Sequence, residues 1–111
     1  MLILFDHGTP RGVAQALPNH TVKEARAMGW DTLSNGDLLK AAEAAGFGVL
    51  VTTDQNLRYQ QNLTGRQIAI VVLGKARWQL IQRALAGIAN AVNVATPGSV
   101  VLVDIPDRPR E

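Results

Sequence analysis

Apolar residues fall along this chain in short blocks with two different rhythms. Leu2–Phe5, Val49–Thr52, residues 68–73 and residues 100–105 are continuous or nearly continuous apolar runs of strand length. Such runs suit strands buried on both faces of a parallel sheet. Between them, apolar positions recur at three- and four-residue steps, the helical period. Val13, Ala14, Ala16 and Leu17 form one such face. Thr9 is placed to cap that helix, Pro10 suits its first position, and Pro18-Asn19 ends it. Leu38, Leu39, Ala42 and Ala45 form a second face, opened by Ser34-Asn35-Gly36-Asp37 and closed by Gly46 in a left-handed cap. Trp78, Ile81, Leu85, Ile88 and Val92 predict one long helix over residues 76–92. Residues 20–24 read as a weaker strand, 28–32 as irregular and 55–62 as a short helix or turn. Pro97-Gly98 reads as a turn, and the charged, proline-containing residues 107–111 as a loose tail.

Strand-helix alternation predicts an α/β fold with a mainly parallel central sheet and right-handed crossovers. The 111 residues are enough for one hydrophobic core, so residues 1–106 are expected to form a single domain. Composition adds exclusions. With 47% hydrophobic and 18% charged residues, the chain is not of the disordered class. The absence of cysteine removes disulfides and thiolate metal sites, so a bound metal would need oxygen or imidazole ligands. No apolar run approaches the length of a membrane span. The start Met-Leu-Ile-Leu-Phe-Asp lacks the basic residues and longer apolar region of a signal peptide, so a cytoplasmic protein is expected. The net charge of +2 does not oppose a polyanionic partner and does not identify one. Aromatic residues are too few for a base-stacking platform.

The chemistry-bearing residues stand out against this frame. Asp6 and Asp54 each follow a buried strand, and in open α/β sheets ligands sit beyond the carboxyl ends of the strands. Asp37 lies in the first turn of the helix leading to the second of those strands. Converging carboxylates repel one another, and a divalent cation relieves that repulsion; oxygen-only ligands favour Mg²⁺ or Mn²⁺. Each acid also has a structural reading. Asp6 and Asp54 can stabilise the helix starts that follow them. Ser34-x-x-Asp37 is a capping-box arrangement, which explains Asp37 as well as a site role does. His7 beside Asp6 reads mainly as a side chain pointing away from it. Arg11, Arg58, Arg66, Lys75 and Arg77 are placed near expected carboxyl-edge loops or helix starts. They read either as a phosphate-guiding rim or as ordinary solvated charges. Trp30 and Trp78 read as core or interface anchors.

Three segments carry a family resemblance: Leu-Phe-Asp-His-Gly-Thr-Pro-Arg at 4–11, Ser-Asn-Gly-Asp-Leu-Leu at 34–39, and Val-Leu-Val-Thr-Thr-Asp-Gln-Asn-Leu at 49–57. In order and spacing the chain resembles the PIN-like DUF5615 family, related to the toxin nucleases of toxin–antitoxin pairs. The resemblance implies a PIN-like three-layer α/β/α fold, dependence on Mg²⁺ or Mn²⁺, and hydrolysis of RNA phosphodiester bonds. It implies Asp6, Asp37 and Asp54 as catalytic, metal-binding acids. Thr52 would orient the last of them, and Arg11 would touch phosphate. It also implies a cognate antitoxin protein as a possible partner, and leans towards a homodimer. Two positions depart from the pattern. Asp6-His7-Gly8 stands where the family often has Asp-Glu-Asn, and Asn56 stands where a further acid is common. Asn56 can still ligate through its carbonyl but adds no charge.

Two other functional classes remain open. A binding module with a weakened site would hold RNA or protein without cutting. A receiver-like phospho-acceptor would use Asp54, with Asp6 and Lys75 nearby, although receivers carry paired acids where this chain has Asp6-His7.

Overall fold

A computed structural model of the chain describes residues 1–56, 63 and 65–106. The apolar runs form the expected strands: β1 (Leu2–Phe5), β2 (Thr21–Glu24), β3 (Val49–Thr52), β4 (Ala69–Leu73) and β5 (Val100–Val103). They make one five-stranded sheet in the order β2-β1-β3-β4-β5, every pair parallel. Every residue of β3 and β4 is buried, as expected of interior strands covered on both faces. The edge strands β2 and β5 alternate in exposure instead.

Two apolar layers complete an α/β/α sandwich. On one face, α1 (Asn35–Ala44) packs Leu38, Leu39 and Ala42 against Leu4, Leu50, Ile70 and Val72. On the other, a 3₁₀ helix (Arg11–Ala16) joins α2 (Trp78–Ile81) and α3 (Leu85–Val94) over Ile3, Phe5, Val51 and Val71. Each large side chain fully buried in these layers contributes about 1.5–3 kcal/mol.

Several local expectations change. The first helix is 3₁₀, and Pro10 occupies its cap position without a side-chain cap bond. Thr9 does not cap it: its hydroxyl donates to Val51 O at 2.9 Å, pinning the loop to β3. The long helix over 76–92 is two helices separated at residues 82–84, and the second runs on to Val94. Ile81 and Leu85 flank that break in phase, so the apolar period runs through it undisturbed. Ala45 is exposed, whereas Gly46 takes the expected left-handed cap at φ 89°. The last strand stops at Val103. The expected segment over 55–62 lies outside the described residues from Leu57 on, as does the 107–111 tail.

The chain leaves β1 towards β2 on one side and later returns to β3 on the other. The sheet therefore has its topological switch point between β1 and β3, where open α/β sheets bind ligands beyond the strand ends. No helix among the described residues is long and apolar enough to cross a membrane.

Candidate active site

The ladder between β1 and β3 continues one residue past the end of β1, because the Asp6 N–H donates to Val51 O at 2.9 Å. This backbone bond fixes Asp6 at the switch point. Its half-buried carboxylate accepts from the His7 N–H at Oδ1 and from the Thr52 hydroxyl at Oδ2, both at 2.7 Å. Thr52 ends β3 and is 0% exposed. Its Oγ1 also accepts from the Asp54 N–H at 3.1 Å. One buried hydroxyl thus couples the first acid to the backbone of the second.

Asp54 is held from two further sides. The Asn56 N–H donates to Oδ1 at 3.0 Å, an Asx-type turn, and Asn35 Nδ2 donates to Oδ2 at 3.2 Å. Asn35 opens α1, so this bond brings the first turn of that helix to the carboxyl end of β3. The close approach of the β1 loop depends on Gly8, where a Cβ would meet Thr53 Oγ1 at 2.7 Å.

The structure therefore gathers Asp6, Thr52 and Asp54 at one place, with Asn56 contributing its backbone. Asp37 stands exposed on the same first turn as Asn35. Its N–H donates to Ser34 Oγ at 3.3 Å, so half of the capping box forms; among the described residues the reciprocal bond from the Ser34 N–H is not made. Arg11 points elsewhere than Asp6. Its Nε lies 3.1 Å from both carboxylate oxygens of Glu24, and its side chain is 83% exposed. Arg66 does not belong to this edge. It precedes β4 at the opposite end of the sheet and pairs with Glu43 at 3.5 Å. Arg58 lies outside the described residues.

A cleft of about 110 Å³ opens beside Asp6 on the β2 side. Asp6, His7, Arg11, Glu24 and Arg26 line it over the buried Phe5. Sequence reasoning missed Glu24, Arg26 and Asn35. Glu24 ends a weakly patterned edge strand and Arg26 follows it by two residues; only the strand order reveals that strand's place beside β1. Asn35 looked like part of a helix start and nothing more. The one available signal was that Glu24 ends a candidate strand, as Asp6 and Asp54 follow theirs.

Among the described residues no three acid or imidazole side chains form a ready cation cage. The donor set nevertheless fits a small hard cation. Each carboxylate oxygen of Asp6 and Asp54 accepts one bond from a neutral donor, and a carboxylate oxygen has a further lone pair. Neither acid is in an ion pair among the described residues. Mg²⁺ typically keeps several waters and takes one or two carboxylates, unlike cations held in all-protein cages.

No protein-family model, no curated protein and no solved structure matches the chain.

Proposed function

We propose that this protein is a cytoplasmic, PIN-like ribonuclease that uses Mg²⁺ or Mn²⁺ to hydrolyse RNA phosphodiester bonds. The observation that carries this reading is the coupling of Asp6 and Asp54 through Thr52 at the switch point of a parallel sheet. Two acids positioned there by neutral donors keep a fixed orientation. Asp6 and Asp54 would hold the cation, and Asp37 would approach it from α1. The bound cation would polarise the scissile phosphate and activate water. Thr52 holds Asp6 rigidly, and Asn35 and Asn56 hold Asp54, so neither carboxylate must reorganise during the reaction. No covalent enzyme intermediate is required by this mechanism.

The test is cleavage of single-stranded RNA with Mg²⁺ or Mn²⁺ by the wild-type protein and by Asp6→Asn. Cation-dependent cleavage lost in the variant is expected. Equal cleavage by both would remove Asp6 from the mechanism.

The strand order favours one second reading. The order β2-β1-β3-β4-β5 is also that of flavodoxin-like receiver domains, in which an acid after β3 accepts phosphate. Against it, Asp6 is followed by His7 rather than by another acid. Stable labelling of Asp54 by a small phosphodonor would select this reading over the nuclease.

A further inference from the structure

The cleft beside Asp6 holds two opposite charges that do not pair with each other. Asp6 is turned towards β3 by Thr52 and towards its own loop by the His7 N–H. Arg26 sits on the β2 side of the same cleft. Its place is set by the main chain: the N–H of buried Ala25 donates to Phe5 O at 2.9 Å, continuing the β1–β2 ladder to the residue before Arg26. Arg26 makes no ion pair among the described residues. Among the described residues its guanidinium makes one contact, from Nη2 to His7 Nδ1 at 3.5 Å, long for a hydrogen bond. The other arginine of the cleft, Arg11, already has a carboxylate partner in Glu24.

An exposed guanidinium beside an imidazole, lining a cleft with a carboxylate that makes no ion pair among the described residues, can take an anion. Most of its N–H donors remain available, and their planar fork matches two oxygens of a phosphate. A backbone phosphodiester, a monoanion with two unesterified oxygens, is the anion that a guanidinium fork of this kind meets along RNA. We propose that Arg26, oriented by His7, binds a backbone phosphate of single-stranded RNA on the β2 side of Asp6. The strand then crosses the switch point from β2 towards β3. Arg26 is a binding residue and Arg11 is not its equivalent, because the Glu24 carboxylate already occupies Arg11. This inference rests on the reading of the protein as RNA-binding, but not on its cutting RNA.

The experiment separates the two. Binding of a short 2′-O-methylated single-stranded RNA is measured in EDTA, where no cation-dependent cleavage occurs, over a range of salt concentrations. Arg26→Ala is expected to weaken binding roughly tenfold and to flatten the salt dependence by about one phosphate contact. Arg26→Lys restores the salt slope but only part of the affinity, because it loses the fork. Arg66→Gln removes the same charge at the opposite edge and leaves binding within about twofold of wild type. Inorganic phosphate competes with the RNA for the wild-type protein and much less for Arg26→Ala. The inference is overturned if the wild-type protein does not bind the RNA, if Arg26→Ala binds as wild type does, or if Arg66→Gln weakens binding as much. Loss of binding in Arg26→Ala, together with a wild-type protein that never cleaves RNA, leaves this inference standing and removes the nuclease reading.

Discussion

Both ends of the sheet carry acids, but the acids are held differently. At the amino end, Glu43 of α1 accepts from Arg66 at 3.5 Å and from the Gln67 N–H at 2.7 Å. The Arg66 cation offsets its charge, and the backbone amide ties α1 to the approach of β4. At the carboxyl end, among the described residues, Asp6 and Asp54 accept from a hydroxyl, two backbone amides and an asparagine side chain. Those donors fix geometry without cancelling charge. An acid neutralised in place serves the fold. An acid held in place with its charge intact can serve a ligand, at the cost of repulsion between near neighbours.

The sharpest way to break this contrast is to neutralise the carboxyl-end acids. Asp6→Asn and Asp54→Asn should each lower cation-dependent RNA cleavage by about a hundredfold or more while leaving thermal stability nearly unchanged. Steady-state cleavage rates set beside melting curves decide the point. A variant that loses stability and keeps its rate would place that acid with Glu43. Thr52→Val comes next. It leaves Asp6 Oδ2 and the Asp54 N–H without their shared partner in a buried place, which should cost about 1–3 kcal/mol in chemical denaturation. Cleavage should fall as well, though less than with either acid removed.

At the amino end, Glu43→Gln should cost about 1 kcal/mol and leave cleavage unchanged, because the lost interaction joins α1 to the Arg66 segment far from the switch point. A large drop in cleavage would mean that the two ends are not separable. The smallest effect should come from Arg11→Ala. Its side chain is 83% exposed against 34% for Glu24, so the pair is screened on the arginine side and stability should move by no more than about 0.5 kcal/mol. RNA affinity in EDTA should change less than in Arg26→Ala. The reverse ranking would hand the phosphate role back to Arg11.

Asp37 marks how far the site could be read from residue patterns. Its capping box is only half made, because Ser34 Oγ takes the Asp37 N–H while the Asp37 carboxylate turns to solvent. The pattern Ser-x-x-Asp identified a helix start correctly but left the acid's own partner open. A carboxylate has oxygens enough for both roles, and local sequence does not choose between them.

The alternation of apolar runs and helical periods was sufficient to determine an α/β chain with a parallel sheet, because burial on two faces demands continuous apolar strands. It also placed Asp6 and Asp54 at strand ends, since each directly follows such a run. The break at residues 82–84 escaped it, because Ile81 and Leu85 keep the same phase on either side. Strand order escaped it too, because order is decided by which faces the connections cover, and no single segment carries that information. Order alone made β1 and β3 neighbours, so that Thr52 reaches Asp6 across 46 residues of sequence, and set β2 beside β1, so that Glu24 and Arg26 share a cleft with Asp6. The candidate acids were written in the sequence; their partners were chosen by the packing of the sheet.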